Sequence, residues 1–269
     1  MSRAGTISVE EHLRGTRRKL LVPYLTAGVT PDWTAYLTAY EAAGADAIEV
    51  GLPFSDPMID GPVIQEASDR ALRRGVTLDS ILAELTGLTL GVPLVAMTYF
   101  NIVQSPGVAR FCARLRAAGV SGLIVPDAPL EEVGELEETA AAHGIDLVLL
   151  AAPSTPDARL HEIAARSRGF VYAVSVMGTT GIRDELAASA GRLATTLKTY
   201  TDRPVLLGLG ISSVAHAIAA GTYADGVVVG SMLMRQVLDG GSPADVGRWI
   251  AAVRDGLDQE FADEFEAAP

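Results

Sequence analysis

The chain has 269 residues, a formal net charge of −12, hydrophobic residues at 49% and charged residues at 20%. That apolar content supports a sizeable core and excludes a disordered composition, and the negative charge opposes nucleic acid and anionic membrane as partners. A small phosphorylated ligand stays open, because backbone amides can hold a phosphate inside an acidic protein.

The first twenty residues carry Arg3, Glu10, Glu11, Arg14, Arg17, Arg18 and Lys19 with no apolar stretch among them, so they read as an N-terminal helix and not as a signal peptide. Apolar runs stay short of the 18 or so residues of a membrane span. Cys112 is the single cysteine, which excludes an internal disulfide. A soluble, cytoplasmic protein is expected.

From there short apolar runs alternate with amphipathic segments. Strand Leu20–Thr26 precedes helix Trp33–Ala43, and strand Asp46–Val50 precedes helix Val63–Arg73. Strand Pro93–Met97 leads to helix Val108–Ala118, strand Ser121–Val125 to helix Leu130–His143, and strand Ile145–Leu150 to helix Asp157–Arg166. Strand Gly169–Val174 is followed by a helix containing Lys198, strand Pro204–Gly208 by helix Val214–Ala220, and strand Asp225–Val229 by the final helical segment. The strands are apolar at nearly every position, as parallel strands buried on both faces are. Helix stops recur as Ala42-Ala43-Gly44, Ala117-Ala118-Gly119, Ala142-His143-Gly144 and Ala219-Ala220-Gly221, which place a glycine at the left-handed position after a helix. The tail from Asp255 to Pro269, with six acidic residues, reads as a solvated terminal helix.

Eight strand–helix units without a linker predict an α/β fold, a (βα)8 TIM barrel forming one domain over residues 1–269. The competing architecture, a doubly wound open sheet, usually carries Gly-x-Gly-x-x-Gly after its first strand, and Tyr24-Leu25-Thr26-Ala27-Gly28 lacks it.

Catalysis in such a barrel sits at the C-terminal ends of the strands. Both lysines, Lys19 and Lys198, fall away from that rim, which excludes a Schiff-base lysine there. His12, His143, His161 and His216 fall in helices or at their ends, so no histidine metal site is expected. Cys112 falls inside a helix and reads as a packing residue.

Carboxylates remain. If Ile48 and Val50 face the helices, Glu49 points into the barrel mouth. It is either satisfied by neighbouring donors or a general acid/base with a raised pKa. The loop after it, Leu52 to Pro62, is stiffened by Pro53 and Pro57 and can bring Asp60 to the mouth. Asp60 could instead serve as a turn or N-cap before Gly61 and Pro62. Glycines cluster late in the chain, at Gly178 to Gly181, at Gly208-Leu209-Gly210 and at Gly230-Ser231, as a backbone phosphate grip or as ordinary turns.

The run Glu49-Val50-Gly51-Leu52-Pro53-Phe54-Ser55-Asp56-Pro57-Met58-Ile59-Asp60-Gly61-Pro62 resembles the signature of the tryptophan synthase α subunit family. Supporting matches are Pro23 to Gly28, Met97-Thr98-Tyr99-Phe100-Asn101, Gly169 to Tyr172, Gly178 to Gly181 and Gly208 to Ser212. The resemblance covers nearly the whole chain and implies retro-aldol cleavage of indole-3-glycerol phosphate to indole and glyceraldehyde 3-phosphate, with no cofactor and no metal. It implies that Glu49 moves protons and that Asp60 binds the indole N–H. Tyr24, Met97, Tyr172 and Thr180 are implied to touch substrate, Thr180 and Gly181 to belong to a closing loop, and Gly181, Gly210, Gly230 and Ser231 to hold phosphate. Pro53, Asp56, Asn101 and Pro129 match loops that face a pyridoxal-phosphate β subunit in an α2β2 assembly. Two departures stand out: Gly28-Val29-Thr30-Pro31 where the family usually reads Gly-Asp-Pro, and Ile102 where it usually has proline. A stand-alone lyase releasing free indole, or an idle allosteric α subunit, are the alternatives. An idle copy need not keep Glu49, Asp60, Tyr172 and the glycine loops together.

Overall fold

The computed structural model describes residues 7–174, 183–208 and 210–266. The chain begins with α1 (Val9–Gly15), β1 (Leu20–Thr26), α2 (Trp33–Ala42), β2 (Ile48–Gly51), α3 (Pro62–Arg73), α4 (Leu78–Thr86) and β3 (Leu94–Met97). It continues with α5 (Phe100–Gln104), α6 (Val108–Ala117), β4 (Val120–Ile124), α7 (Gly134–Ala142), β5 (Asp146–Ala151), α8 (Asp157–Arg166), β6 (Val171–Val174) and α9 (Arg183–Lys198). The last elements are β7 (Val205–Gly208), α10 (Val214–Gly221), β8 (Gly226–Val229), α11 (Ser231–Leu238), α12 (Pro243–Glu260) and α13 (Ala262–Glu266). The strands pair in parallel in chain order, and β8 closes onto β1. The fold is the expected (βα)8 barrel.

Strand alternation divides the core in two. Ile48 and Val50 of β2 pack outward among the helices, while Ala47 joins Leu20, Val22, Val95, Ile124, Val148, Phe170, Leu206 and Val228 inside the barrel. The N-terminal end of that interior is filled by α1, whose Val9 and Leu13 are fully or almost fully buried in the same cluster. Gly122 makes room for it: a Cβ there would lie 3.0 Å from Val9 Cγ2 and 2.9 Å from Val95 Cγ2. The plug is tied down by Asp146 at the start of β5, which accepts from Glu10 N at 3.0 Å and from Ser8 Oγ at 3.3 Å. Glu10 in turn accepts from Arg203 Nε at 3.0 Å.

The same end holds a buried ion cluster. Asp46, 2% exposed, accepts from Arg18 Nη2 at 2.8 Å, Arg254 Nη1 at 3.2 Å and Leu21 N at 2.8 Å. Arg254 also pairs with Asp258. Lys19 pairs with Glu264 at 2.8 Å and lies 4.5 Å from the Phe261 ring centroid.

Four expectations change. Strand starts shift by one or two residues, as β2 does from Asp46 to Ile48, because Asp46 is spent on the ion cluster. The helix expected from Leu130 starts at Gly134, since residues after Pro129 form a turn with Glu132 N bonded to Pro129 O at 2.8 Å. Gly44, Gly119 and Gly144 take positive φ after their helices, but Gly221 is the last residue of α10. What Gly221 provides is space, since a Cβ would meet Phe261 Cε2 at 2.8 Å. The acidic tail is only half solvated, because Leu257 and Phe261 are buried against α10 and the barrel's outer core. The β2–β3 interval also carries two helices, α4 being set off by the Thr77–Ser80 capping box.

Leu13→Ala empties part of the plug, and a loss of about 2–5 kcal/mol is expected for a fully buried leucine. Urea unfolding of the variant should show a lowered midpoint with an unchanged slope; an unchanged midpoint would mean that α1 contributes nothing to the barrel.

Candidate active site

The open end of the barrel is built from the last residues of the strands and the loops after them. Tyr24 of β1 lies in register with Glu49 of β2, and Gly51 of β2 with Met97 of β3. Two aromatic side chains enter the mouth only because glycine stands opposite them. A Cβ on Gly51 would sit 1.9 Å from the Tyr24 hydroxyl, and one on Gly208 would sit 2.4 Å from Tyr172 Cε2. Tyr172 packs above Phe170, centroids 6.0 Å apart. Tyr24, Glu49, Asp60, Met97, Tyr172, Gly210, Gly230 and Ser231 line one cavity of about 160 Å³. Eight of the ten residues expected to act on substrate or phosphate therefore converge; Thr180 and Gly181 lie outside the described residues.

Glu49 is 1% exposed, and its Oε2 has no hydrogen-bond partner among the described residues. The alternative of a glutamate satisfied by neighbouring donors is not what this carboxyl oxygen shows. Burial pushes its pKa up to about 8, and the negative charge of Asp60 adds to the shift. At neutral pH Glu49 is thus mostly a carboxylic acid able to give up a proton.

Asp60 is not a helix cap. Gly61 takes the N-cap position of α3 and Pro62 the first turn. Asp60 faces the cavity, its pKa raised by burial and held back by a hydrogen bond from the Tyr99 hydroxyl. It is less enclosed than Glu49, so the two carboxyls occupy different electrostatic environments over one opening.

The part of the lining after β7 and β8 includes backbone. Gly230 precedes α11, whose first N–H groups have no partner within the helix. Gly210 adopts a φ of 29° beside it in the β7–α10 loop. These amides and the positive end of the helix dipole suit an anion.

Profile comparison matches residues 11–254 to the family described as "Tryptophan synthase alpha chain". The chain belongs to the tryptophan synthase alpha chain family. The alpha chain of a Picosynechococcus species is 43% identical over 257 residues, covering 92% of this chain and 96% of that one. Among solved structures, tryptophan synthase from M. tuberculosis aligns with a TM-score of 0.82 at 37% identity, covering 93% of this chain and 96% of that one. A chain of the tryptophan synthase α2β2 complex from Pyrococcus furiosus aligns at 0.81 and 38% identity, covering 90% and 98%. The resemblance read from the acidic signature is borne out.

Three lining residues, Ile64, Ile211 and Val228, were missed by sequence reading, and Gly208 was read only as part of a glycine cluster. Val228 and Gly208 could have been found by strand alternation, since both occupy inward positions next to Gly226 and Leu206. Ile64, on the first turn of α3, and Ile211, flanking Gly210, become apolar wall only through the loop geometry. Tyr99 lies just outside this lining and grips the loop bearing Asp60. Residues Pro53, Asp56, Asn101 and Pro129 follow β2, β3 and β4 at the same end, Asn101 on α5 and the others in loops; Asp56, Asn101 and Pro129 are exposed and Pro53 is half-buried.

The raised pKa of Glu49 has a stability consequence for this family member. The folded state keeps the proton up to about pH 8, whereas the unfolded chain loses it near 4.5. Its contribution is complete below the unfolded value and is lost progressively as pH rises toward the folded one. Glu49→Gln removes the ionisation, so its stability relative to wild type should grow between those two pH values and then level off. Urea unfolding at several pH values checks this, and a difference independent of pH would show that Glu49 titrates normally.

Proposed function

We propose that this chain is a lyase of tryptophan biosynthesis that cleaves indole-3-glycerol phosphate to indole and glyceraldehyde 3-phosphate, with Glu49 and Asp60 as its catalytic pair. The observation that carries the reading is the convergence, in one cavity, of a protonated buried carboxyl, a second carboxyl and an anion-binding helix start.

Breaking the bond between the indole ring and the glycerol chain needs a proton on the ring carbon and removal of one from the neighbouring hydroxyl. Glu49, protonated at neutral pH, supplies the first; as a carboxylate it then takes the second, so its proton is restored at the end of the turnover. Asp60 accepts from the indole N–H and offsets the positive charge that develops on the ring. Tyr24, Met97 and Tyr172 form the apolar wall around the ring, with Thr180 as a further substrate contact. Gly210, Gly230 and Ser231, with Gly181, hold the phosphate. No metal or cofactor is required by this scheme, and the whole chain works as one domain in the cytoplasm; among the described residues no helix is long and apolar enough to cross a membrane.

The partner is a tryptophan synthase β subunit in an α2β2 assembly. Pro53, Asp56, Asn101 and Pro129 surround the mouth from which indole leaves. Beside them Met58 and Ile59 are 90% and 55% exposed, an apolar surface suited to burial against a second protein. The α2β2 assembly of the Pyrococcus furiosus relative supports the same arrangement.

Glu49→Gln is expected to abolish indole release while binding of a substrate analogue persists, and wild-type turnover in that variant would remove the assignment. Asp60→Asn should lower kcat by about 100-fold or more, in line with the loss of a preorganised charge partner; near-normal turnover would deny it that role. Mixing the chain with a β subunit should raise its indole-3-glycerol phosphate cleavage severalfold, and indifference to the β subunit would favour a stand-alone lyase.

A further inference from the structure

The loop from Leu52 to Gly61 carries Asp60 but has few anchors of its own. Its internal bonds are short turns, Met58 N to Asp56 O at 2.9 Å and Asp60 N to Pro57 O at 3.3 Å. From the helix side, Gln65 Nε2 donates to the carbonyls of Asp60 at 2.8 Å and Pro57 at 3.3 Å. From the barrel side Met97 O holds the loop's first residue, accepting from Leu52 N at 2.9 Å, and beyond that base Tyr99 reaches the loop three times. The Tyr99 hydroxyl accepts from Ile59 N at 3.1 Å and stands beside the Asp60 carboxyl, whose pKa it lowers. Its ring stacks on Phe54, centroids 5.0 Å apart and planes at 28°.

Tyr99 is itself firmly set. It is 6% exposed and is bracketed by fixed backbone: Thr98 N bonds to Ile124 O at 3.0 Å, and Phe100 N donates to Asp127 Oδ1 at 2.8 Å. Ile102 N donates to Tyr99 O at 3.0 Å, a bond that the proline usual at that position in the family could not make. A post fixed on β3 and α5 thus holds a loop that has little else to hold it.

We propose that Tyr99 is a positioning residue for Asp60, fixing the loop through Phe54 and Ile59 and aiming the carboxylate through its hydroxyl; this rests on the role given to Asp60 above. Gln65 grips only main-chain oxygens, so among the described residues it is Tyr99 that both anchors the loop and acts on the Asp60 carboxyl. Burial and the nearby carboxylate push the Tyr99 phenol up to about 12, so it remains a donor at any working pH. The ionisable groups around Asp60 are Glu49 on β2, Tyr24 on β1, Tyr172 on β6 and Tyr99 on β3. Of these, the Tyr99 hydrogen bond is the contribution that favours the ionised form of Asp60.

The test compares Tyr99→Phe, which keeps the ring, with Gln65→Leu, which loosens the loop from its other side. The titration of Asp60 is followed by carbon-detected NMR of the carboxylate, alongside kcat and KM for indole release. In Tyr99→Phe the Asp60 midpoint should move upward and kcat should fall about 10- to 100-fold, as for a lost hydrogen bond to a charged group. KM should change far less than kcat, and Gln65→Leu should leave the Asp60 midpoint in place. Incorporating 3-fluorotyrosine at position 99, a stronger donor of similar volume, should move the midpoint downward and serves if Tyr99→Phe folds poorly. An Asp60 midpoint unmoved by either change overturns the proposal, as does a loss confined to KM. A wild-type chain that releases no indole would refute the proposed reaction while leaving the titration arm intact, so the two failures are separable.

Discussion

Among the described residues Glu49 keeps a buried carboxyl oxygen without a hydrogen-bond partner, and much of the structure around it follows from that. An unpaired buried carboxyl is tolerated only if it stays protonated, because an ion there would lack both water and counter-charge. Three residues earlier on the same segment, Asp46 is just as buried but receives Arg18, Arg254 and a backbone N–H. Two carboxyls within one strand's length are thus given opposite surroundings, one neutralised by partners and the other by a retained proton. The first belongs to the architecture and the second to the chemistry.

The division extends to the whole barrel. Its N-terminal end is closed by the α1 plug, the Asp46 cluster and the docked terminal helices, all contributing order at the end away from the cavity. Its C-terminal end keeps glycines at 51 and 208 so that Tyr24 and Tyr172 can reach the axis, and under the proposed function its glycines at 210 and 230 let backbone approach an anion. Each of those glycines gives up side-chain packing, and the filled interior at the other end offsets the loss.

The parts legible in the sequence were those with a local signature. Apolar runs located the eight strands to within two residues, since a parallel strand buried on both faces is apolar throughout. Glu49 was legible as a charge near the C-terminal end of such a run, and Gly230-Ser231 as a glycine before a helix. The rest depends on contacts between distant segments. Tyr99 appeared only as part of a motif, because its partners Phe54, Ile59 and Asp60 lie about forty residues away and no spacing rule joins them. Gly221 looked like the other helix-ending glycines, yet its reason is the Phe261 ring packed against it from the tail. The buried side of that tail was hidden for the same cause: its acidic residues signal solvent, while Leu257 and Phe261 acquire their partners only when the barrel has closed.

The pairing of the two carboxyls also explains how one group can serve as acid and then as base. Before reaction the negative charge of Asp60 helps to keep Glu49 protonated. Under the proposed reaction, protonation of the ring places positive charge beside Asp60. That charge offsets the field which had raised the pKa of Glu49, so the carboxylate left behind is least costly at the moment it forms. When the carbon–carbon bond breaks and the ring returns to neutrality, the field of Asp60 is restored and again favours a proton on Glu49, which the glycerol hydroxyl supplies. The coupling works only if Asp60 stays ionised at a fixed place beside the ring. Its partial exposure and the hydrogen bond from Tyr99 supply that, so the least enclosed carboxyl of the pair sets the timing of the most enclosed one.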